Sequence, residues 1–125
     1  RFHAGMDFTA PLGTDVYVTG NGTVEAVMPS LRGLGNHIII NHGFGIVSIY
    51  AHLDRFNVRK GQKVRRGDVI GFVGSTGMSL APHLHYEIKV NNLNVDPVNY
   101  YFNDLTAAEY EQMIEIASKT GQSFD

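Results

Sequence analysis

Cysteine is absent from this 125-residue chain, which rules out disulfides and thiolate chemistry. Any bound metal would therefore have to be held by His, Asp or Glu. The compartment stays open, because many exported proteins also lack cysteine. No apolar run is long enough to span a bilayer. No signal peptide is present within the chain, which opens on Arg1-Phe2-His3 in sequence that already reads as strand. That abrupt start is expected of a piece or mature form of a longer exported protein, with its signal or anchor upstream. Excess positive charge is missing too: the net charge of −2 argues against a dedicated nucleic-acid binder. Internal repeats and low-complexity segments are also lacking.

What is present is ordinary globular composition, 43% hydrophobic and 18% charged, enough for one domain with its own core. The positive charges are uneven. Arg55, Arg59, Lys60, Lys63, Arg65 and Arg66 crowd one stretch. Such a stretch blunts a sheet edge against aggregation, or alternatively steers an anionic substrate.

Glycine, 14 residues of 125, punctuates short β-like runs. Asn21-Gly22 between β-branched stretches predicts a hairpin, because both turn positions tolerate positive φ. Ile38–Ile40 and Ile46–Tyr50 flank His42-Gly43-Phe44-Gly45 and predict a second. Val69–Val73 reads as a further strand, and Asn91-Asn92 turns another pair. Short strands at this spacing, with no helix between them, indicate an antiparallel β-sandwich or barrel. The tail differs. Thr106 and Glu109 have the capping-box pattern, and Tyr110, Met113, Ile114 and Ala117 recur with helical period. They predict a C-terminal α-helix over about 106–120, ending near Gly121.

Three stretches carry histidines with strand parity. In Phe2–Phe8 the even positions are apolar, so His3 and Asp7 share the other face, with Gly5 between them leaving space for an ion or substrate. A histidine and a carboxylate on one face could supply half of a zinc site, though that spacing alone is a weak signal. In 83–90, His83, His85, Glu87 and Lys89 alternate with Leu84, Tyr86, Ile88 and Val90. In 46–53, Val47, Ile49, Ala51 and Leu53 make an apolar face, and Ser48, Tyr50 and His52 share the other. If the three polar faces converge, His3, Asp7, His52, His83 and His85 line one groove. Tyr50 then either touches substrate or forms a groove wall. Glu87 reads as a surface salt bridge in preference to a support for His85. His37 and His42, of opposite parity, read as structural or loop residues.

Taken together, these stretches resemble the lysostaphin/LytM-type zinc metallopeptidases, which cut peptides in bacterial peptidoglycan. The resemblance runs through "HAGMD" (3–7), "APLGT" (10–14), "GNHIIINHGFG" (35–45) and "YAHL" (50–53). It continues through "VRKGQKVRRGDVIGFVGSTG" (58–77), "PHLHYE" (82–87) and "VDP" (95–97). It implies a mostly β, compact antiparallel domain at 1–98 with a groove across one sheet, followed by a C-terminal extension at 99–125. It also implies one zinc ion held by His3, Asp7 and His85, with His52 and His83 as catalytic histidines that do not bind it. Three such ligands leave a fourth tetrahedral position for water. The implied substrate is peptidoglycan peptide, the implied location is the periplasm or cell surface, and a monomer is expected. Asp15 stands where the family usually has Pro, Leu80-Ala81 where Thr-Gly is common, and Tyr86 where Phe is common. The helical metallopeptidase motif His-Glu-x-x-His is absent, so histidines must replace its glutamate base.

Two rival readings are separable. A non-enzymatic wall-binding or hydrolase-activator domain on the same fold would lack some of the five residues, and all five are present. A biotinyl or lipoyl carrier needs a lysine at a hairpin tip. The Asn21-Gly22 and Gly43–Gly45 turns hold none, and Lys89 is only near Asn91-Asn92.

Overall fold

The structure, a computed structural model, describes residues 5–77, 79, 81–96 and 122–124. Within them the glycine-punctuated runs become strands. In chain order these are β1 (Met6–Thr9), β2 (Asp15–Tyr17), β3 (Gly22–Met28), β4 (His37–Gly43), β5 (Ile46–Ala51) and β6 (Leu53–Phe56). They continue as β7 (Lys63–Val64), β8 (Val69–Val73), β9 (His83–Val90), β10 (Leu93–Val95) and β11 (Gln122–Phe124). One sheet runs β11-β1-β9-β5-β4-β3-β7, and β10 pairs with the free end of β9 beyond β1. A smaller sheet runs β2-β8-β6. Every pairing is antiparallel. The helix expected over 106–120 and the boundary expected at 98/99 lie outside the described residues.

The core lies between the two sheets. Val16, Leu53, Ile70 and Val73 from the smaller sheet pack with Met6, Phe8, Ile38, Ile40, Tyr50, Leu84, Tyr86 and Ile88 from the larger one. Cross-strand register explains who faces inward. Met6, Tyr86, Tyr50 and Ile38 stand opposite one another across β1, β9, β5 and β4, and directly opposed residues share a face. All four are at most 4% exposed.

Two buried tyrosines must satisfy their hydroxyls. Thr19 does so: its hydroxyl lies 2.6 Å from the Tyr86 OH and 3.0 Å from the Tyr50 OH, and its N–H donates to the Tyr50 OH. Ser48 donates to the Tyr50 OH at 2.8 Å and also meets His42 Nε2 at 2.6 Å. His42 Nδ1 donates to the Asn21 carbonyl, so His42 has the structural role expected of it. The tyrosine rings meet edge to face at 5.2 Å, an arrangement contributing about 0.5–1.5 kcal/mol beyond burial.

Two expectations fail here. Asn21-Gly22 is not a hairpin turn, because β2 pairs with β8 whereas β3 pairs with β4 and β7. The chain changes sheets at that point. Tyr50 lines no groove; it is fully buried in the core, and the apolar face of β5 was assigned to the wrong side. Both sides of β5 are buried, Ser48 to Ala51 alike, so alternation of polarity carried no information about direction. The other expected turns hold: β4 and β5 form a hairpin, as do β9 and β10.

Tyr50→Phe deletes the acceptor of the Thr19 N–H while leaving the packing intact. A buried, unpartnered donor costs about 1–3 kcal/mol. The urea midpoint should fall accordingly with an unchanged denaturant slope; an unchanged midpoint would exclude this role for Tyr50.

Candidate active site

The face of the large sheet opposite the core collects the polar side chains. β1 and β9 set Asp7 opposite His85 and Thr9 opposite His83, and β5 sets Ala51 opposite His85 and Ile49 opposite Glu87. Asp7, His83, His85 and Glu87 therefore share that face, with Ile49 and Ala51 as its apolar floor. Their side chains are partly withdrawn from water, between 15% and 22% exposed.

His52 arrives by another route. It follows β5 with φ +60°, a left-handed conformation that a non-glycine residue seldom adopts without being held there. This residue breaks the alternation between Ala51 and Leu53 and brings its ring to His83 and His85, with centroids 4.8 and 6.0 Å apart. It owes its place to that reversal, and Tyr50, two residues earlier, points the opposite way.

Three segments interlock to hold it. The His52 N–H donates to the Leu34 carbonyl, and His52 Nδ1 donates to the Thr76 carbonyl at 2.6 Å. The Thr76 hydroxyl donates to the Leu53 carbonyl and accepts the Asn36 N–H, while Asn36 Nδ2 donates to the Leu53 carbonyl. Gly35 and Gly77 let these loops touch, since a methyl group on either would collide with backbone of the other loop. Sequence reasoning missed Asn36 and Thr76. No spacing rule links positions so far apart, and Thr76 meets His52 itself through a main-chain carbonyl that residue type does not announce. His37, as expected, makes a local contact through Nδ1 to the Gly35 carbonyl.

The remaining contacts converge on Asp7 and His85. His85 Nδ1 lies 2.6 Å from Asp7 Oδ1, and its Nε2 lies 2.9 Å from Glu87 Oε2. His83 Nε2 is 3.6 Å from Asp7 Oδ1, and its Nδ1 is 3.0 Å from both the Ala81 carbonyl and the Ser79 hydroxyl. Glu87 is consequently no surface salt bridge. It is only 15% exposed and bonded both to His85 and to Asn94 of β10. Its parity with His85 was the available signal.

Burial holds the His52 imidazole below its usual pKa against the pull of the Thr76 carbonyl, and the neighbouring His83 and His85 add to the lowering. Burial also opposes charge on His85, but the Asp7 and Glu87 carboxylates outweigh it and raise that ring to about 9. The hydrogen bond from His85 lowers the Glu87 carboxyl, against its own burial.

This donor set fits a divalent metal. A neutral imidazole has one N–H, yet both His85 nitrogens face carboxylate oxygens. Either the ring carries two protons or a cation takes the place of one, and His, Asp and an imidazole nitrogen suit zinc. Among the described residues no group of three His, Asp or Glu side chains is arranged to hold a metal. The third expected ligand, His3, lies outside the described residues. Gly5 is described, and its role differs from expectation. A methyl group there would lie 2.5 Å from His85 Cε1, so the glycine makes room for the His85 ring itself.

An antiparallel sandwich with histidines and a carboxylate gathered on one sheet face has the makeup of a metallopeptidase. The chain belongs to peptidase family M23, whose model matches residues 1–97. It is 46% identical over 99 residues to the DD-carboxypeptidase/endopeptidase Mpg of Neisseria meningitidis, a match covering 79% of this chain and 23% of that protein. It is 44% identical over 94 residues to the peptidoglycan DD-endopeptidase ShyB of Vibrio cholerae, covering 75% of this chain and 22% of that one. Among solved structures it resembles the catalytic domain of lysostaphin from Staphylococcus simulans, with TM-score 0.75 and 36% identity, over 80% of this chain and 79% of that one. A zinc-containing peptidase from Vibrio cholerae matches with TM-score 0.72 and 44% identity, over 75% of this chain and 29% of that one. The chain spans about a quarter of the length of the curated relatives it matches.

Gly5→Ala should displace the His85 ring without unfolding the sandwich. Zinc binding, measured by competition with a chromophoric chelator, is expected to weaken about 10–100-fold, as when a ligand's support is disturbed. Unaltered affinity would show that the ring has freedom to move aside.

Proposed function

We propose that this domain is a zinc-dependent endopeptidase that hydrolyses peptide cross-links of bacterial peptidoglycan. The observation that carries the reading is the convergence of Asp7, His85, His83 and His52 on one sheet face, with Asp7 and His85 in direct contact. His3, Asp7 and His85 would hold one zinc ion, two nitrogens and one oxygen, leaving a position open. When bound, zinc supplies the Lewis acidity that polarises a scissile carbonyl and lowers the pKa of water to about 7.

The chain's own groups do the rest. His52 and His83 each engage Nδ1 with a backbone carbonyl, which leaves Nε2 as the working atom of both rings. His52, kept neutral by burial, takes a proton from the attacking water at Nε2 and returns it to the leaving amine. His83 donates from Nε2 to the oxygen that gains charge as the doubly protonated ring, its Nδ1–H being engaged by the Ala81 carbonyl and its Nε2 lying 3.6 Å from Asp7 Oδ1. The buried floor of Ile49 and Ala51 keeps water away from one side of the reacting bond.

All five residues come from one chain, so the domain, taken as 1–98, needs no second copy. Its peptidoglycan substrate would put it in the periplasm or at the cell surface.

The test is digestion of purified cross-linked muropeptides, with products identified by mass spectrometry. His85→Ala and Asp7→Ala should lose both zinc and turnover. His52→Ala and His83→Ala should keep zinc while turnover falls about 10²–10⁴-fold, the usual contribution of a positioned acid or base. Zinc retained fully by His85→Ala, or normal turnover by His52→Ala, would sink the assignment.

A further inference from the structure

We propose that Glu87 is a positioning residue that decides which nitrogen of His85 meets the metal, and that Asn94 holds Glu87 for this task. The inference rests on the zinc reading above. Both Glu87 oxygens are committed: Oε2 accepts from His85 Nε2 at 2.9 Å, and Oε1 accepts from Asn94 Nδ2 at 3.0 Å. The carboxylate is only 15% exposed and cannot exchange these partners freely with water. Strand geometry produces the arrangement. Glu87 lies two residues beyond His85 on the same face of β9 and reaches back along the strand to the far side of the ring. Asn94 comes from β10, which pairs with β9 at Ile88–Val90.

The consequence follows from the proton count. A metal-bound imidazole keeps one N–H. With that proton on Nε2, it is donated to Glu87, and the Nδ1 lone pair faces the side where Asp7 supplies the second donor. The other tautomer would press the Nε2 lone pair against a carboxylate and place a hydrogen at Nδ1, where the metal belongs. Glu87 therefore favours one ring orientation before the metal arrives, and one tautomer once the metal has replaced the proton on the Asp7 side. Asn94 fixes Oε1, which leaves Oε2 aimed at the ring.

This makes a graded prediction, read as zinc affinity in chelator competition and not as turnover. Glu87→Ala should weaken zinc binding about 10–100-fold, the usual effect of removing a carboxylate that supports a ligand histidine. Glu87→Gln retains an oxygen that can accept the Nε2–H and should recover part of that loss. Asn94→Leu should show a smaller loss in the same direction, and it keeps the test open should Glu87→Ala fold poorly. In zinc-loaded protein with ¹⁵N-labelled histidine, His85 should carry its proton on Nε2, and this resonance should exchange faster with water in Glu87→Ala. Affinities within about twofold of wild type in all three variants, against the loss expected of such a support, would overturn the proposal, as would a His85 proton found on Nδ1. Wild-type protein that binds zinc but cleaves no wall peptide would overturn the peptidase reading and leave this one standing. A wild-type chain with no zinc affinity would overturn both.

Discussion

The antiparallel register between β1 and β9 sets Asp7 directly opposite His85, and almost every feature of the site depends on that pairing. Side chains alternate across a strand, so a slip of one residue would turn Asp7 toward the core and put Met6 or Phe8 on the polar face. The slip is opposed by burial. Met6 and Phe8 are packed against Tyr86 and Leu84, and exposing two large apolar side chains would cost about 1.5–3 kcal/mol each. β11 pairs along the other edge of β1, with Asp7 in register with Ser123, which leaves β1 held by ladders on both sides. The position of the carboxylate is thus fixed by hydrophobic packing one residue away on either side.

The same logic ties the two faces of the central strands. Tyr50 and Tyr86 are locked to Thr19 beneath the sheet, and their immediate neighbours Ala51 and His85 oppose each other above it. A polar network inside a core is rigid when each group has a partner. The structural network on one side therefore limits how far the reactive face on the other can shift. Tyr86 contributes through a hydroxyl that a phenylalanine would lack, and Thr19 supplies its partner.

Legibility in the sequence followed the regularity of the backbone. In β9 the alternation of Leu84, Tyr86 and Ile88 with His83, His85 and Glu87 assigned both faces correctly, because only one face is buried. In β5 both faces are buried, and hydrophobicity could not say which side was which. His52 reaches the site only through a positive φ that no pattern of residue types announces, and parity placed it there for the wrong reason, through Tyr50. Asn21-Gly22 has the composition of a tight hairpin, but its flanking strands belong to different sheets. Local turn chemistry does not report which partner a strand will choose. Glu87 was undervalued because sequence alone does not show that Asn94 of β10 reaches it.

Small residues beside His85 complete the picture of how such a crowded face is built. The ring is flanked by Gly5 on one side, where even a methyl group would collide with it, and by Ala51 directly across on β5. A larger residue at Gly5 would fill the space that the imidazole needs in order to meet Asp7 and Glu87 at once. The chain thus gives up side-chain packing at Gly5, and it leaves only a methyl on the floor at Ala51. The stability forgone there is offset on the opposite face, where Met6, Tyr50 and Tyr86, their neighbours in sequence, are all buried in the core. Reactivity and stability are separated by the thickness of one strand, with large apolar side chains directed one way and space for the histidine left the other.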